Sequence, residues 1–264
     1  MTAELMVCPL KSSSKGNATV IFSANTKILV DCGVSGKVLE ECLKNVGISG
    51  AELDAIVVTH EHTDHTKGVG IISRKHNLPV YATCGTWQGM KTAVGRIDED
   101  NVKVFSANDS FYINDIKVTS FPIPHDAAEP VGYTFCTGAA KVAVATDMGV
   151  ITDSVFDAVK GSNTVLLEAN YDPYMLDIGS YPYELKRRIR GELGHLCNDD
   201  SAELAKRLSQ TGTKEIILGH LSEENNYPQT AFETVRAAVK EFNVSLSVAC
   251  FENIKAFEEY KKVI

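Results

Sequence analysis

The stretch Ala55-Ile56-Val57-Val58-Thr59-His60-Glu61-His62-Thr63-Asp64-His65 decides how this chain is read. Its first four residues form a short, wholly apolar, β-branched run, the pattern of a strand buried on both faces. Three histidines and an aspartate follow within six positions. In extended backbone His60 and His62 point to the same side, because side chains alternate with a period of two. Asp64 and His65 open a helical stretch expected to run over residues 66–76, so their side chains project from another direction. Ligand sets approaching from two directions suit two metal ions lying side by side, and the spacing His-x-His-x-Asp-His is highly specific for such a site.

Working outward, other apolar runs also end in polar, chemically capable residues. Ile28-Leu29-Val30 leads to Asp31, Phe121-Pro122-Ile123-Pro124 to His125, and Val144-Ala145-Thr146 to Asp147. Thr164-Val165-Leu166-Leu167 leads to Glu168, and Glu215-Ile216-Ile217-Leu218 to Gly219-His220. Strands ending this way line one common edge, where layered β folds gather their sites. Helices over residues 34–46, 201–208 and 232–242 fall between or after the strands. The economical architecture is two packed sheets with helices on the outer faces. Residues 34–46 place Val38, Leu39, Cys42, Leu43 and Val46 on one helix face. Residues 5–10, 19–23, 27–31, 79–83 and 244–251 read as further strands. Residues 103–105 and 115–121 read as an antiparallel hairpin, and residues 133–135 and 141–145 as a strand pair. The segment 84–100, with Trp87 and three glycines, is either a flap over the cleft or a packed connector.

These residues, in this order, resemble the metallo-β-lactamase superfamily, an α/β fold built as a four-layer αβ/βα sandwich. The resemblance implies that His60, His62 and His125 hold one divalent ion, that Asp64, His65 and His220 hold a second, and that Asp147 bridges them. A water shared by the two ions then becomes the nucleophile, with Asp64 counted as catalytic as well as ligating. Asp31 is cast as a partner that fixes the tautomer of a ligating histidine. Imidazole suits zinc and the carboxylates also accept manganese, and both metals stay open. Aspartate at 147 favours the hydrolase and phosphodiesterase branches over β-lactamases, which usually depart from the pattern there.

The phrase Gly194-His195-Leu196-Cys197-Asn198-Asp199-Asp200-Ser201 resembles the histidine motif of the nuclease branches. It implies that His195 protonates the leaving oxygen and that Glu168 orients it. The run Lys186-Arg187-Arg188-Ile189-Arg190, the Ser-rich opening and Glu168-Ala169-Asn170-Tyr171-Asp172 resemble the bacterial YycJ/WalJ/VicX family, associated with 5′-to-3′ exonuclease action on DNA. Lys186, Arg187, Arg188 and Arg190 are then expected on backbone phosphates. In the loop over residues 11–17, Ser13, Ser14 and Asn17, with Lys11 or Lys15, are either plain turn chemistry or contacts to an anionic ligand. RNA processing and thioester hydrolysis of the glyoxalase II type remain alternative activities. A non-catalytic scaffold is disfavoured by the intact ligand set. The long insertion of the larger nucleases and the exosite arm of transfer-RNA-maturing relatives are not evident.

The chain is 264 residues long, and candidate ligands run from position 60 to 220, so a single domain over residues 1–264 is expected. A formal charge of −8 argues against indiscriminate nucleic-acid binding, though bound cations reverse the field within a cleft. The N-terminus lacks the pattern of a secretory signal, and no apolar run approaches the roughly twenty residues of a membrane span. Seven cysteines without a Cys-x-x-Cys pair read as reduced, mostly buried thiols of a cytoplasmic protein.

Overall fold

The computed structural model of the chain describes residues 5–138 and 140–249. The first sheet is formed by β1 (Met6–Ser13), β2 (Gly16–Phe22), β3 (Lys27–Val30), β4 (Ala55–Val57), β5 (Val80–Thr83) and β6 (Val102–Phe105), paired in that order. The second contains β7 (Ser110–Ile113), β8 (Ile116–Pro122), β9 (Val131–Thr137), β10 (Ala140–Ala145), β11 (Thr164–Glu168), β12 (Glu215–Gly219) and β13 (Ser245–Val248), also in sequence order across the sheet. Each sheet is antiparallel where hairpins join its strands and parallel where helices intervene.

Strand periodicity sorts the core into three layers. Ile28, Val30, Ala55, Val57, Val142, Val144, Leu166 and Ile217 pack between the two sheets. Their neighbours Leu29 and Ile56 face outward against α1 (Gly36–Asn45) and, beyond the short α2 (Thr63–Thr66), against α3 (Val69–His76) and α4 (Cys84–Val94) through Leu39, Leu43, Ile72 and Met90. Ala143, Val165, Leu167, Ile216 and Leu218 face the opposite way. They pack on α5 (Asp153–Val159), and then, beyond α6 (Pro173–Ile178) and α7 (Tyr183–Arg190), on α8 (Asn198–Gln210) and α9 (Pro228–Val239). Helix, sheet, sheet, helix is the four-layer arrangement expected, and α6 and α7 stand outside it.

Several local expectations are corrected. Residues 103–105 and 115–121 do not pair. The first lie in β6, parallel to β5, whereas the second lie in β8, whose hairpin partner is β7. Asn114, in the left-handed region at φ 49°, turns that hairpin. The helix expected over 66–76 starts at Thr63 and breaks at Lys67-Gly68. A Cβ at Gly68 would lie 2.4 Å from Val34 O, so the chain passes too close for any side chain. Strand β1 runs through Ser12 and Ser13, shrinking the expected loop to a tight turn at Ser14-Lys15. Residues 84–94 are a packed helix carrying buried Met90. Val38 is 37% exposed, so it leaves the buried face of α1. Of the described cysteines Cys8, Cys32 and Cys197 are buried, Cys42 and Cys136 half-buried and Cys84 exposed, all as free thiols. The end of the strand expected over 244–251 lies outside the described residues. No described helix is long and apolar enough to cross a membrane.

Candidate metal centre

The site lies where strands of both sheets end. Three of its residues, Asp31 (φ 60°), Asp147 (φ 61°) and His220 (φ 54°), occupy the left-handed region that non-glycine residues avoid. Each follows directly, or within two residues, the last residue of β3, β10 or β12. A left-handed residue there stops the strand abruptly and turns its side chain into the seam between the sheets. Strain of this type, about 1–3 kcal/mol per residue, persists where surrounding contacts enforce it. Gly33 helps enforce it: its missing Cβ would fall 1.5 Å from Asp64 O, and that backbone contact presses the loop after β3 under the histidine motif.

Beyond β4 the chain crosses the seam and enters α2. His60 Nε2 lies 3.0 Å from His62 Nδ1, and His125 Nε2 lies 3.3 Å from the same atom. Asp64 Oδ2 lies 3.4 Å from His65 Nε2 and 3.6 Å from His220 Nε2. Asp147 stands between the two groups, with Oδ2 3.5 Å from His65 Nε2 and Oδ1 4.0 Å from His125 Nε2. Ligands about 2.05 Å from a tetrahedral ion stand roughly 3.3 Å apart. These spacings fit donor atoms placed to hold a divalent metal. Two buried atoms support the fit: Asp147 Oδ2 and His220 Nε2 have no hydrogen-bond partner among the described residues. An orphaned carboxylate oxygen and an orphaned imidazole nitrogen, both buried, are costly without a cation to receive them.

The opposite nitrogens are committed. His65 Nδ1 donates to Asp31 Oδ2 at 2.8 Å, His125 Nδ1 to Gly194 O at 3.1 Å and His220 Nδ1 to Glu168 Oε1 at 3.0 Å. His60 Nδ1 lies 3.0 Å from the Thr59 hydroxyl, which donates to Asp31 Oδ2 at 2.9 Å. Each contact fixes a tautomer that leaves Nε2 as a lone pair facing the seam. Charge follows geometry. Burial, and then the neighbouring imidazoles of His65, His125 and His62, hold His60 well below its ordinary value. For His220 burial opposes charge, but Asp147, Asp64 and Glu168 outweigh it and raise it to about 10. His65 is raised in the same way by Asp147, Asp64 and Asp31 against its burial. Burial pushes Asp64 up, but His65 and His220 bring it well below the carboxylate range. Burial lowers His125 as well, against Asp147, so His60 and His125 disfavour charge while the other half of the site is a field that favours it.

Glu168 is fully buried and joins this centre to His195. Its Oε1 accepts from His195 Nδ1 at 2.8 Å as well as from His220, and its Oε2 accepts from the backbone N–H of Met148 at 2.7 Å. Burial opposes its ionisation, yet His195, by charge and hydrogen bond, and then His220 hold it well below the carboxylate range. His195 is partly exposed on the wall of a cleft of about 310 Å³. Lys15, Ser14, Ser222, Tyr181, Arg188 and Asp126 also line that cleft.

The expected phosphate contacts divide. Arg188 lines the cleft, its Nε 2.5 Å from Asp126 Oδ2. Lys186 instead donates to the carbonyls of Asp177 and Gly179, and Arg190 pairs with Asp177, so both fasten α7 to α6. Arg187 points to solvent beside Glu184. Ser13 is buried and its hydroxyl accepts from Lys15 N at 3.2 Å. Asn17 is buried, with Nδ2 3.0 Å from Ser13 O and 3.1 Å from His65 Nε2, so it braces the metal centre. Ser14 is exposed at the cleft. Sequence reasoning missed Thr59, Asn170 and Ser12. Asn170 Nδ2 donates to His220 O at 2.8 Å, and Ser12 Oγ accepts from His220 N at 2.8 Å. For Thr59 the signal was its place beside the motif; Asn170 and Ser12 stand in stretches that carry the family resemblance, but their bonds to His220 exist only in the fold.

A buried set of imidazoles and carboxylates at the joined edges of two sandwiched sheets defines a metal-dependent hydrolase of the metallo-β-lactamase class. Residues 26–221 match the beta-lactamase superfamily domain, and the chain belongs to that superfamily. Across 232 residues it is 40% identical to the exodeoxyribonuclease YycJ of Bacillus anthracis, covering 88% of each chain. It is 39% identical over 228 residues to the exodeoxyribonuclease WalJ of Streptococcus pneumoniae, covering 86% of this chain and 85% of that one. The solved metallo-β-lactamase fold protein YhfI from Bacillus subtilis superposes with a TM-score of 0.71 at 16% identity, covering 94% of this chain and 98% of that chain.

Proposed function

We propose that this chain is a dinuclear metal-dependent phosphodiesterase that removes nucleotides from the 5′ end of DNA, the whole chain acting as one hydrolase domain. The observation that carries this reading is the His195–Glu168 pair, a histidine tethered at Nδ1 by a buried carboxylate beside the ligand groups. A departing 3′ alkoxide is strongly basic and needs a proton as its bond to phosphorus breaks. A thiolate leaves without one, because thiols ionise near neutral pH. A positioned acid therefore favours phosphodiesters over thioesters. The exodeoxyribonuclease names of the relatives support the same substrate.

In this reading His60, His62 and His125 would hold one ion and Asp64, His65 and His220 the other, with Asp147 available to both. When bound, the two cations supply Lewis acidity, activating a water and offsetting the charge that builds on phosphorus. Glu168 accepts from His195 Nδ1, holds the ring and leaves Nε2 to face the leaving oxygen. Arg188 and Lys15, each paired with a carboxylate across the cleft wall, exchange those partners for phosphate oxygens. Such contacts set register without reading sequence. The cleft is lined by α7 and by the Ser14-Lys15 turn, and the reading places the 5′ strand end there.

The test is digestion of 5′- and 3′-labelled DNA and RNA, single- and double-stranded, by metal-stripped protein resupplied with zinc or manganese. Release of mononucleotides from 5′ DNA ends is expected. His195→Ala should lower turnover about a hundredfold or more. Undiminished turnover in that variant, or cleavage of thioesters while DNA stays intact, defeats the reading.

A further inference from the structure

Helices α6 and α7 stand apart from the three main cores. None of the eight residues of α7 is buried. The pair is anchored by a small separate cluster of Tyr171, Leu176 and Cys197, with Tyr181 and Ile189 packed against it. Lys186 and Arg190, donating to Asp177, Gly179 and Pro173, clamp α7 onto α6. The resulting unit has two faces. On the inner one, Leu185, Arg188 and Ile189 line the cleft that holds His195. On the outer one, Tyr174 and Ile178, one turn apart on α6, are 69% and 66% exposed. Tyr183 and Arg187, one turn apart on α7, are likewise exposed, at 73% and 72%.

Single exposed apolar side chains are ordinary on a protein surface. Here Tyr174, Ile178 and Tyr183, three of the ten large hydrophobics exposed among the described residues, fall within the α6–α7 hairpin, and a fourth, Leu193, lies in the loop just after it. Of the four cations of α7, Lys186 and Arg190 are engaged by α6 and Arg188 by the cleft, so Arg187, beside Glu184, is the cation that stands with the exposed tyrosines. A protein partner favours an interface core depleted of charge. An unpaired strand leaving the cleft, whose inner wall is the other face of α7, offers base faces to the two tyrosines and phosphate to Arg187.

We propose that the outer face of α6–α7 is a platform for unpaired nucleotides of the strand whose end occupies the cleft, with Tyr174 and Tyr183 stacking on bases and Arg187 meeting phosphate. The proposal rests on the nuclease reading and adds a preference for ends bearing an unpaired tail. A duplex hides its base faces and gains nothing from the tyrosines.

The test compares wild type with the double variant Tyr174→Ala/Tyr183→Ala on a dinucleotide too short to reach the platform, a duplex with an unpaired 5′ tail, and a blunt duplex. Both positions are exposed, so folding is not at stake, and Tyr174→Phe/Tyr183→Phe keeps the rings. The alanine pair should raise KM for the tailed substrate ~10-fold while leaving kcat and dinucleotide turnover unchanged, and the phenylalanine pair should behave as wild type. An unchanged KM, or an equal loss on the dinucleotide, overturns the platform. So does light scattering that shows a wild-type dimer lost in the alanine variant, because the patch then serves self-association. If wild type cuts no DNA, the nuclease reading fails by itself. Anisotropy of a labelled oligothymidine then decides the platform: weakened binding by the alanine pair supports it, and equal binding overturns it.

Discussion

The Oε1 atom of Glu168 lies 2.8 Å from Nδ1 of His195, and the same oxygen accepts from His220 at 3.0 Å. One buried carboxylate thus orients both the proposed acid and a proposed metal ligand. The two roles separate in the kinetics.

Glu168→Gln keeps the shape but loses the charge and half of the acceptor capacity. It should lower kcat about a hundredfold and weaken metal binding roughly 10- to 100-fold. His195→Ala should lower kcat alike with metal affinity unchanged. Turnover at saturating metal, together with titration calorimetry of metal binding, reads both. Equal metal affinity in wild type and the Glu168 variant removes the link to His220.

Asp31 accepts from Thr59 N at 2.8 Å, from the Thr59 hydroxyl at 2.9 Å and from His65 at 2.8 Å, and so holds the histidine motif from beneath. Asp31→Asn can supply an N–H where His65 needs an acceptor. Metal affinity should fall roughly 10- to 100-fold, with kcat restored near wild type once metal is in excess. A kcat that stays depressed at saturating metal assigns Asp31 a direct part in the reaction instead.

Far from the site, Asp115 in the β7–β8 turn accepts from Thr26 and, at 2.9 and 3.0 Å, from Ser23 at the β2–β3 turn, tying one sheet to the other. The Thr26 hydrogen bond first, and then the one from Ser23, hold its carboxyl below the usual aspartate value against the opposing effect of burial. A depressed folded-state value means that the stabilisation is present above the unfolded value of about 3.9 and fades as pH falls through the folded one. Asp115→Asn should therefore lower the urea midpoint at neutral pH and match wild type in strong acid. A gap between the two that stays constant with pH would show that charge at 115 is irrelevant.

Much of this was legible in the chain itself. The apolar runs before Asp31, His60, Asp147, Glu168 and His220 marked strand ends because burial on both faces admits only apolar residues between turns. Partner choice was not legible: nothing in residues 103–105 says that they pair with β5 and not β8, because a strand does not encode its neighbour's position in the chain. The basic run at 186–190 looked uniform, yet helical geometry sends Lys186 and Arg190 to α6, Arg188 to the cleft and Arg187 to solvent. The second duty of Glu168 toward His220, 52 residues away, existed only once β11 and β12 lay side by side.

The most direct test is the number of divalent ions retained per chain, counted by native mass spectrometry alongside elemental analysis. Two ions are predicted for wild type, one for His62→Ala, which dismantles a single group, and fewer than two for Asp147→Asn, which loses the carboxylate standing between them. A wild-type chain that binds one ion or none at saturating zinc or manganese, or a His62→Ala chain that still binds two, contradicts the account.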